Sequence, residues 1–198
     1  MEYTPDDFNG YEQFLTLGRL VTPRPVGWIS TVDSSGEPNI APYSFVSPLS
    51  VDPPVIGLSV APHPDGSMKD TAQNVLDTDE FVYHLLTDEF LHQMNETARD
   101  VDHSEFDLID VETTSCTSVE VPRIDTAPAW LECTTYDTHE IAETQVIYGE
   151  VERIGIADAF VDETDLPDVD AIEESVLGHL IDEHYTTLDL LEKHQPDD

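Results

Sequence analysis

The stretch that decides the fold class is Val26-Gly27-Trp28-Ile29-Ser30-Thr31-Val32, which has the β-branched and aromatic content of a strand. Residues 34–37, which follow Asp33, are Ser-Ser-Gly-Glu and have the composition of a turn. Two further apolar runs follow at residues 40–46 and 55–60, the second directly after Pro53-Pro54. Together these residues predict a β-meander at the start of a mainly β domain.

The next predicted elements are a helix, a strand and a second helix. Helical spacing of apolar residues predicts a short helix beginning at Met68, and Ser67 with Asp70 predicts its capping box. Residues 81–86 then predict a strand. A second short helix is predicted from Asp88, with one face formed by Phe90, Leu91 and Met94.

Two longer strands are predicted at residues 129–136 and 145–156, joined through the polar residues 137–140. The sequence therefore predicts a mainly β fold, a β-barrel with inserted helices.

We expect a single domain over residues 1–198, with a barrel core at about 19–157 and an acidic linker and C-terminal appendage at 158–198. The linker is richest in acids at 158–175. Residues 177–191 are expected to pack back on the barrel as a helix.

The charge balance is extreme, because 43 Asp and Glu face 7 Lys and Arg, for a formal net charge of −36. At ionic strength near 1 M the Debye length falls to about 3 Å, so repulsion between surface carboxylates largely disappears. The composition predicts a halophilic protein of a salty cytoplasm. It argues against nucleic acid and anionic membranes as partners, because both require a basic patch.

Cysteine and histidine usage favours neither a disulfide scaffold nor a metal site. Cys116 and Cys133 form no C-x-x-C motif. His179 and His184 are five residues apart, which does not place them on one helical face. The N-terminus lacks the basic and apolar regions of a signal peptide, and no apolar run approaches membrane length. We expect a cytoplasmic protein.

Two segments carry candidate binding chemistry. Residues 67–71 combine a helix N-terminus, which favours anions, with Lys69, which predicts a phosphate site; an ordinary capped helix with an exposed lysine is the alternative. Residues 39–48 offer hydroxyl and backbone groups beside an aromatic ring, as a planar heteroaromatic ligand requires; a plain strand with an edge proline is the alternative. Neither a G-x-G-x-x-G nor a Walker motif is present.

Several motifs in order resemble the flavin reductase-like, FMN-binding split-barrel family, here as an acidic member of haloarchaeal type. The resemblance runs from about Arg19 to Ile156. The motifs that carry it are Thr22-Pro23-Arg24-Pro25-Val26-Gly27-Trp28-Ile29-Ser30-Thr31-Val32-Asp33, Asn39-Ile40-Ala41-Pro42-Tyr43-Ser44-Phe45, Asp52-Pro53-Pro54, Lys69-Asp70-Thr71-Ala72-Gln73-Asn74, Glu80-Phe81-Val82, Glu105-Phe106 and Leu131-Glu132-Cys133. The resemblance implies an FMN-binding split β-barrel that forms a homodimer, with FMN near the subunit interface.

The resemblance also implies which residues contact the cofactor. The isoalloxazine ring would lie along Thr31, Ser44, Phe45, Val46 and Ser47. The phosphate would lie at Lys69, Asp70 and Thr71, and Arg24 would contact the flavin or the substrate. Many relatives carry an arginine before a C-terminal Leu-Gly-Gly, whereas here His179 follows Leu177 and Gly178.

Two functions follow from the resemblance. The first is a flavin reductase that transfers hydride from NAD(P)H, its substrate, to FMN, with a protein redox partner as a further acceptor. The second is a non-enzymatic FMN-binding electron carrier or flavin-storage protein. No residue is assigned as catalytic: Tyr43 and His179 are candidate proton donors, and packing is the alternative role for each.

Overall fold

The computed structural model describes residues 1–101 and 103–187. Within these ranges the chain is mainly β, as predicted, with four α-helices and short 3-10 turns. The helices are α1 Gly10–Leu20, α2 Asp70–Thr78, α3 Leu91–Glu96 and α4 Val169–Ser175. The strands are β1 Arg24–Pro25, β2 Gly27–Val32, β3 Pro38–Tyr43, β4 Val46–Val51, β5 Pro54–Val60, β6 Glu80–Leu85, β7 Thr113–Thr114, β8 Arg123–Ile124, β9 Ala129–Ile141, β10 Thr144–Ile156, β11 Gly178–Ile181 and β12 His184–Thr186.

Seven strands form one antiparallel sheet in the order β3-β2-β6-β9-β10-β5-β4. A flat sheet of this width would hold its two edge strands roughly 29 Å apart at the usual strand spacing. Yet strands from both edges contribute to one buried cluster, which is formed by Tyr43, Val46, Leu58, Ile29, Phe81, Cys133 and Ile147. The sheet therefore curls around this core, and Ala72 and Val75 of α2 close one end.

The predicted meander is wrong in how its second and third strands pair. The run at residues 40–46 breaks after Tyr43, so that β3 and β4 lie at opposite edges of the sheet. The following run pairs with β4 and not with β3. The curl explains the break: the chain crosses from one edge to the other at Ser44 and Phe45, where the Phe45 carbonyl accepts a hydrogen bond from Ser59 N at 3.0 Å.

The predicted capping box at Ser67 is also wrong. The Ser67 amide and hydroxyl both donate to Asp65 Oδ1, at 2.9 and 2.6 Å, so that Ser67 belongs to the preceding turn. Helix α2 begins at Asp70 with Lys69 as its N-cap, and no side chain caps it. The lysine consequently lies at the helix N-terminus itself.

The loop predicted at residues 137–140 is strand. β9 and β10 continue as an antiparallel pair to a tight turn between Ile141 and Thr144, with irregularities near Gly149 and Val151. The backbone ladder between the two strands satisfies the amides of these polar residues, and their side chains are largely solvated. Local polarity therefore did not mark the end of the strand.

The helix predicted at residues 177–191 is wrong over its described part. Residues 178–186 form the hairpin β11–β12, and β11 pairs with β1 through Arg24 and His179. Residues 188–191 lie outside the described ranges. Tertiary pairing with the N-terminal segment thus overrides the local apolar spacing.

The strand predicted at 81–86 and the second helical segment are confirmed, as β6 and as a 3-10 turn from Asp88 followed by α3. Met94 of α3 is fully buried. Among the helices of residues 1–101 and 103–187, none has the length and apolar character that crossing a membrane requires.

Candidate functional site

A cleft of about 190 Å³ opens between the end of β3, the start of α2, residues 97–100 and Glu105; we call it the Lys69 cleft. Its wall includes Tyr43, Lys69, Thr71, Arg99 and Glu105. Two of the 7 cations of a chain with net charge −36 therefore face one small volume. Asp70, Asp100 and Glu105 line the same cleft, so what it offers an anion depends on which of the two cations lacks a carboxylate partner.

Lys69 differs from most of the other cations in its surroundings. Four of them lie within 4.0 Å of a carboxylate: Arg19, Arg99, Arg123 and Arg153. Arg24 is buried among backbone carbonyls. In the part of the chain that the structure describes, Lys69 has no carboxylate within that distance, and its ammonium lies over the Tyr43 ring. Its charge is therefore available to a ligand.

The N-terminus of α2 adds to this charge. The Lys69 carbonyl accepts hydrogen bonds from Ala72 N and Gln73 N, so the amides of Asp70 and Thr71 precede the first intrahelical bonds. These amides and the helix dipole favour an anion beside the lysine. The carboxylates of Asp70 and Asp100 also line the cleft and reduce this attraction.

Behind the cleft lies a buried polar network. With its amide oriented to match its neighbours, Asn39 donates to Glu105 Oε2 at 2.6 Å, and its oxygen accepts from Thr71 Oγ at 3.1 Å. Thr31 is fully buried, and its hydroxyl oxygen accepts from Asn74 Nδ2 at 3.0 Å. Burial raises the pKa of Glu105 above its ordinary value. This network fixes the N-terminal turn of α2 against β3.

Burial also raises the pKa of Tyr43 to about 12, so its hydroxyl keeps its proton at neutral pH. Tyr43 lines the Lys69 cleft and packs against the core with the other face of its ring. It can donate a hydrogen bond, but it is a weak acid. A packing role and a donor role are both compatible with this position.

A second cleft, about 560 Å³, lies between α1 and the crossing at Ser44 and Phe45; we call it the apolar groove. Leu17 and Leu49 contribute apolar surface, and Ser44, Ser47 and Arg24 contribute polar groups. A volume of this size is typical of small-molecule sites.

Gly57 lines the apolar groove and lies close to the side chain of Leu49. A Cβ at Gly57 would lie 2.6 Å from Leu49 Cδ1, so a larger residue there would have to displace this exposed side chain. Phe14 of α1 stacks on Phe45, with 6.4 Å between ring centres. The groove is therefore lined by aromatic and aliphatic surface.

Arg24 is buried beside the groove, and its guanidinium is committed to protein groups. Nη1 donates to the carbonyls of Gly18 and Val21, and Nη2 donates to the Leu180 carbonyl at 2.9 Å and lies 3.1 Å from His179 Nδ1. Nε lies 3.4 Å from Ser44 Oγ. Arg24 thus joins α1 to β11, and its predicted contact with a ligand stays a prediction.

The predicted site residues fall into three places. Lys69, Asp70 and Thr71 line the Lys69 cleft. Arg24, Ser44, Phe45, Val46 and Ser47 line the apolar groove. Thr31 lines neither and lies within the polar network. Since Tyr43 and Ser44 are consecutive, the end of β3 separates the two clefts.

Two charged residues that line the Lys69 cleft, and His179 beside the apolar groove, were not predicted as binding residues. Arg99 and Glu105 line the Lys69 cleft, and His179 Nδ1 lies 2.9 Å from Ser44 Oγ. The scarcity of cations was a usable signal for Arg99. Across residues 1–101 and 103–187, no group of three or more His, Cys, Asp or Glu is arranged to hold a metal ion.

A family model described as flavin reductase like domain matches residues 17–170. The chain belongs to this family. An uncharacterized protein of Aquifex aeolicus is 34% identical to this flavin reductase-like chain over 165 residues, 82% of this chain and 84% of the relative. The match extends beyond the 19–156 span of the sequence motifs into the acidic segment.

Similar solved structures agree with this family assignment. A 2-nitrobenzoate 2-nitroreductase of Pseudomonas fluorescens superposes with a TM-score of 0.89 at 25% identity, covering 99% of this chain and 96% of that one. A Shewanella frigidimarina protein with a split barrel domain superposes at 0.83, with 19% identity and 100% of both chains covered. An FMN-binding protein of Thermus thermophilus superposes at 0.73, with 17% identity, covering 99% and 98%. The fold of this flavin reductase-like chain is the split β-barrel.

Proposed function

We propose that this chain binds FMN and transfers hydride from NAD(P)H to the flavin. The observation that carries the proposal is the Lys69 ammonium, which lies in a small cleft of a flavin reductase-like fold without a carboxylate partner in the described ranges. In a chain with 43 acids, an unneutralised cation beside a helix N-terminus favours a strongly anionic ligand group.

The phosphate of FMN fits the Lys69 cleft by charge. Lys69 and the amides of Asp70 and Thr71 would each donate a hydrogen bond to it, and Arg99, although paired with Glu96, lines the same cleft. Although the net charge of the protein repels an anion, molar salt limits the range of each electrostatic interaction to a few ångströms. Local contacts then outweigh the net charge.

The ring system fits the apolar groove by shape and polarity. Apolar walls with a few hydroxyls are typical of sites for planar heteroaromatic ligands. Within the groove Phe45 and Val46 would pack on the ring, while Ser44 and Ser47 would orient it. Bound flavin supplies the hydride chemistry, and the protein supplies orientation and exclusion of water.

A homodimer would complete the site. The groove is open to solvent and apolar, and exposed apolar side chains continue from it along α1 and β4, at Phe14, Leu17, Leu49 and Val51. Exposed apolar surface of this extent marks an interface. A second copy over this face would bury it and cover a ring bound in the groove.

The reductase proposal is also supported by the likeness to a nitroreductase at 25% identity. The composition supports a halophilic protein of a salty cytoplasm, in which reduced flavin could pass electrons to a protein partner.

Stopped-flow mixing of the FMN-loaded protein with NADH and with NADPH in molar KCl tests the proposal. We expect flavin absorbance to bleach with at least one nucleotide and without any partner protein. Dithionite serves as the control, because it reduces bound flavin regardless of nucleotide binding. If dithionite bleaches the flavin and neither nucleotide does, an FMN-binding electron carrier replaces the reductase.

A further inference from the structure

Ser44 and His179 form a hydrogen-bonded pair at the edge of the apolar groove. Ser44 Oγ lies 2.9 Å from His179 Nδ1, and His179 Nε2 lies 3.0 Å from the backbone carbonyl of Asp182. A carbonyl only accepts hydrogen bonds, so Nε2 carries the ring proton. Nδ1 is then the acceptor, and the Ser44 hydroxyl at 2.9 Å donates to it, sharing the lone pair with Arg24 Nη2 at 3.1 Å.

The groups around His179 support this tautomer. The Arg24 guanidinium nitrogen at 3.1 Å is also a donor, which a protonated Nδ1 would oppose. Tyr185 of β12 stacks on the imidazole, with 4.8 Å between ring centres. The Asp182 carboxylate lies within 3.9 Å of Arg19. These are the charged and titratable groups that face His179 from the described elements packed against it.

This arrangement fixes what Ser44 presents to the groove. With its proton directed at His179, the hydroxyl has only lone pairs to offer in other directions. Arg24 Nε lies at a long 3.4 Å and occupies at most one of them. The groove therefore contains a hydroxyl oxygen that is oriented as a hydrogen-bond acceptor.

We propose that His179 is a positioning residue that holds Ser44 as an acceptor for an N–H or O–H group of the ligand ring or its side chain. The inference rests on the proposed function, in which that ligand is FMN. Protonation of His179 reverses the direction of this hydrogen bond. Nδ1–H then donates to Ser44 Oγ, and the hydroxyl proton turns away. Ser44 then presents a donor where the ligand also presents one, and binding weakens.

The neutral form of His179 prevails near pH 7, because burial lowers its pKa below the ordinary value. We therefore expect flavin affinity to be high at neutral pH and to fall on the acid side. One neutral hydrogen bond corresponds to an affinity change of about three- to tenfold.

The test is FMN affinity, measured by quenching of flavin fluorescence in molar KCl from pH 5 to 8. Wild-type affinity should fall toward the acid end of this range, by about three- to tenfold once His179 is protonated. His179→Asn keeps an acceptor near the Nδ1 position and does not titrate, so its affinity should remain high and flat with pH. Ser44→Ala should lower affinity about three- to tenfold at pH 8 and flatten the profile.

Two comparisons sharpen the result. Ser44→Ala should lower the affinity for riboflavin as much as the affinity for FMN, because the contact is remote from the phosphate. Ser50→Ala, an exposed serine on β4 outside the groove, should keep the wild-type profile, which supports the assignment to Ser44.

A flat wild-type profile, or an acid loss that persists in Ser44→Ala and His179→Asn, would overturn the inference and leave FMN binding intact. Wild-type protein that binds no FMN at any pH would overturn the proposed function together with this inference.

Discussion

The ammonium nitrogen of Lys69 lies 6.0 Å from the centre of the Tyr43 ring. At this distance the ring face attracts the cation only weakly, and it leaves the other directions around the nitrogen open. The aromatic ring therefore orients the lysine toward the cleft without neutralising it.

Replacing Lys69 with Ala should weaken FMN binding by about 1.5 to 3 kcal/mol, the usual cost of losing a hydrogen bond to a charged group. Riboflavin lacks the phosphate, so its affinity should change much less. Titration calorimetry of both ligands in molar KCl measures the difference. Arg153→Ala removes one charge on β10 outside both clefts and is the matched control. Equal losses for FMN and riboflavin would place the phosphate elsewhere.

Acid should destabilise the protein through His84. This fully buried ring donates from Nδ1 to the Trp28 carbonyl at 2.8 Å and accepts at Nε2 from Ile124 N at 3.1 Å, and burial lowers its pKa to about 4. The unfolded chain takes up the proton near pH 6.5, so stability is lost as the pH falls from there to about 4. The loss should reach about 3 kcal/mol.

Urea unfolding at fixed molar KCl between pH 7 and 4.5 measures this loss. His84→Asn retains a donor toward Trp28 and has no proton to take up, so its free energy of unfolding should be lower at pH 7 but flatter with pH. Carboxylates contribute mostly below this range. An equally steep profile in the variant would assign the acid sensitivity to other groups.

Lowering the salt should unfold the protein, because a net charge of −36 repels itself once screening is removed. Circular dichroism across a KCl series should show a cooperative loss of structure on approach to roughly 50 mM. A variant with several exposed carboxylates changed to amides should shift the midpoint to lower salt. A fold that is unchanged at low salt would refute the halophilic interpretation of the acidity.

Leu17→Glu should convert the proposed dimer into monomers and weaken FMN binding with it, because Leu17 is 59% exposed and lines the apolar groove. Ile154 is similarly exposed, at 62%, but lies on β10 outside the groove, so Ile154→Glu is the matched control. Sedimentation velocity in molar KCl gives the oligomeric state. Monomers that still hold one FMN each would contradict a site completed by a second copy.

Sequence patterns located the sheet well wherever burial is continuous. Trp28, Ile29 and Phe81 are fully buried, and their strands were predicted within a residue or two. The patterns failed where partners distant in sequence decide the conformation. His179 lies in a strand because it pairs with Arg24, and no local signal encodes that pairing.

Most of the residues selected from the sequence line one of the two clefts, but the arrangement of the clefts was not predicted. Lys69 and Thr71 could be selected from the sequence because a cation at a helix start is rare in so acidic a chain. The curl of the sheet brings an asparagine side chain to Thr31 and His179 to Ser44. Side-chain partners 135 residues apart are fixed by the tertiary fold alone.

The hydrogen bonds of Arg24 affect the order in which parts of the chain can dock during synthesis. Its guanidinium holds the carbonyls of Gly18 and Val21 at the end of α1, and it also holds the carbonyl of Leu180, 156 residues later. The ribosome completes the strands from Gly27 to Ile156 well before Leu180 emerges. The contact between α1 and β11 is therefore formed last, and in a chain released near residue 175 the helix would keep only its contacts with the barrel, such as the stacking of Phe14 on Phe45.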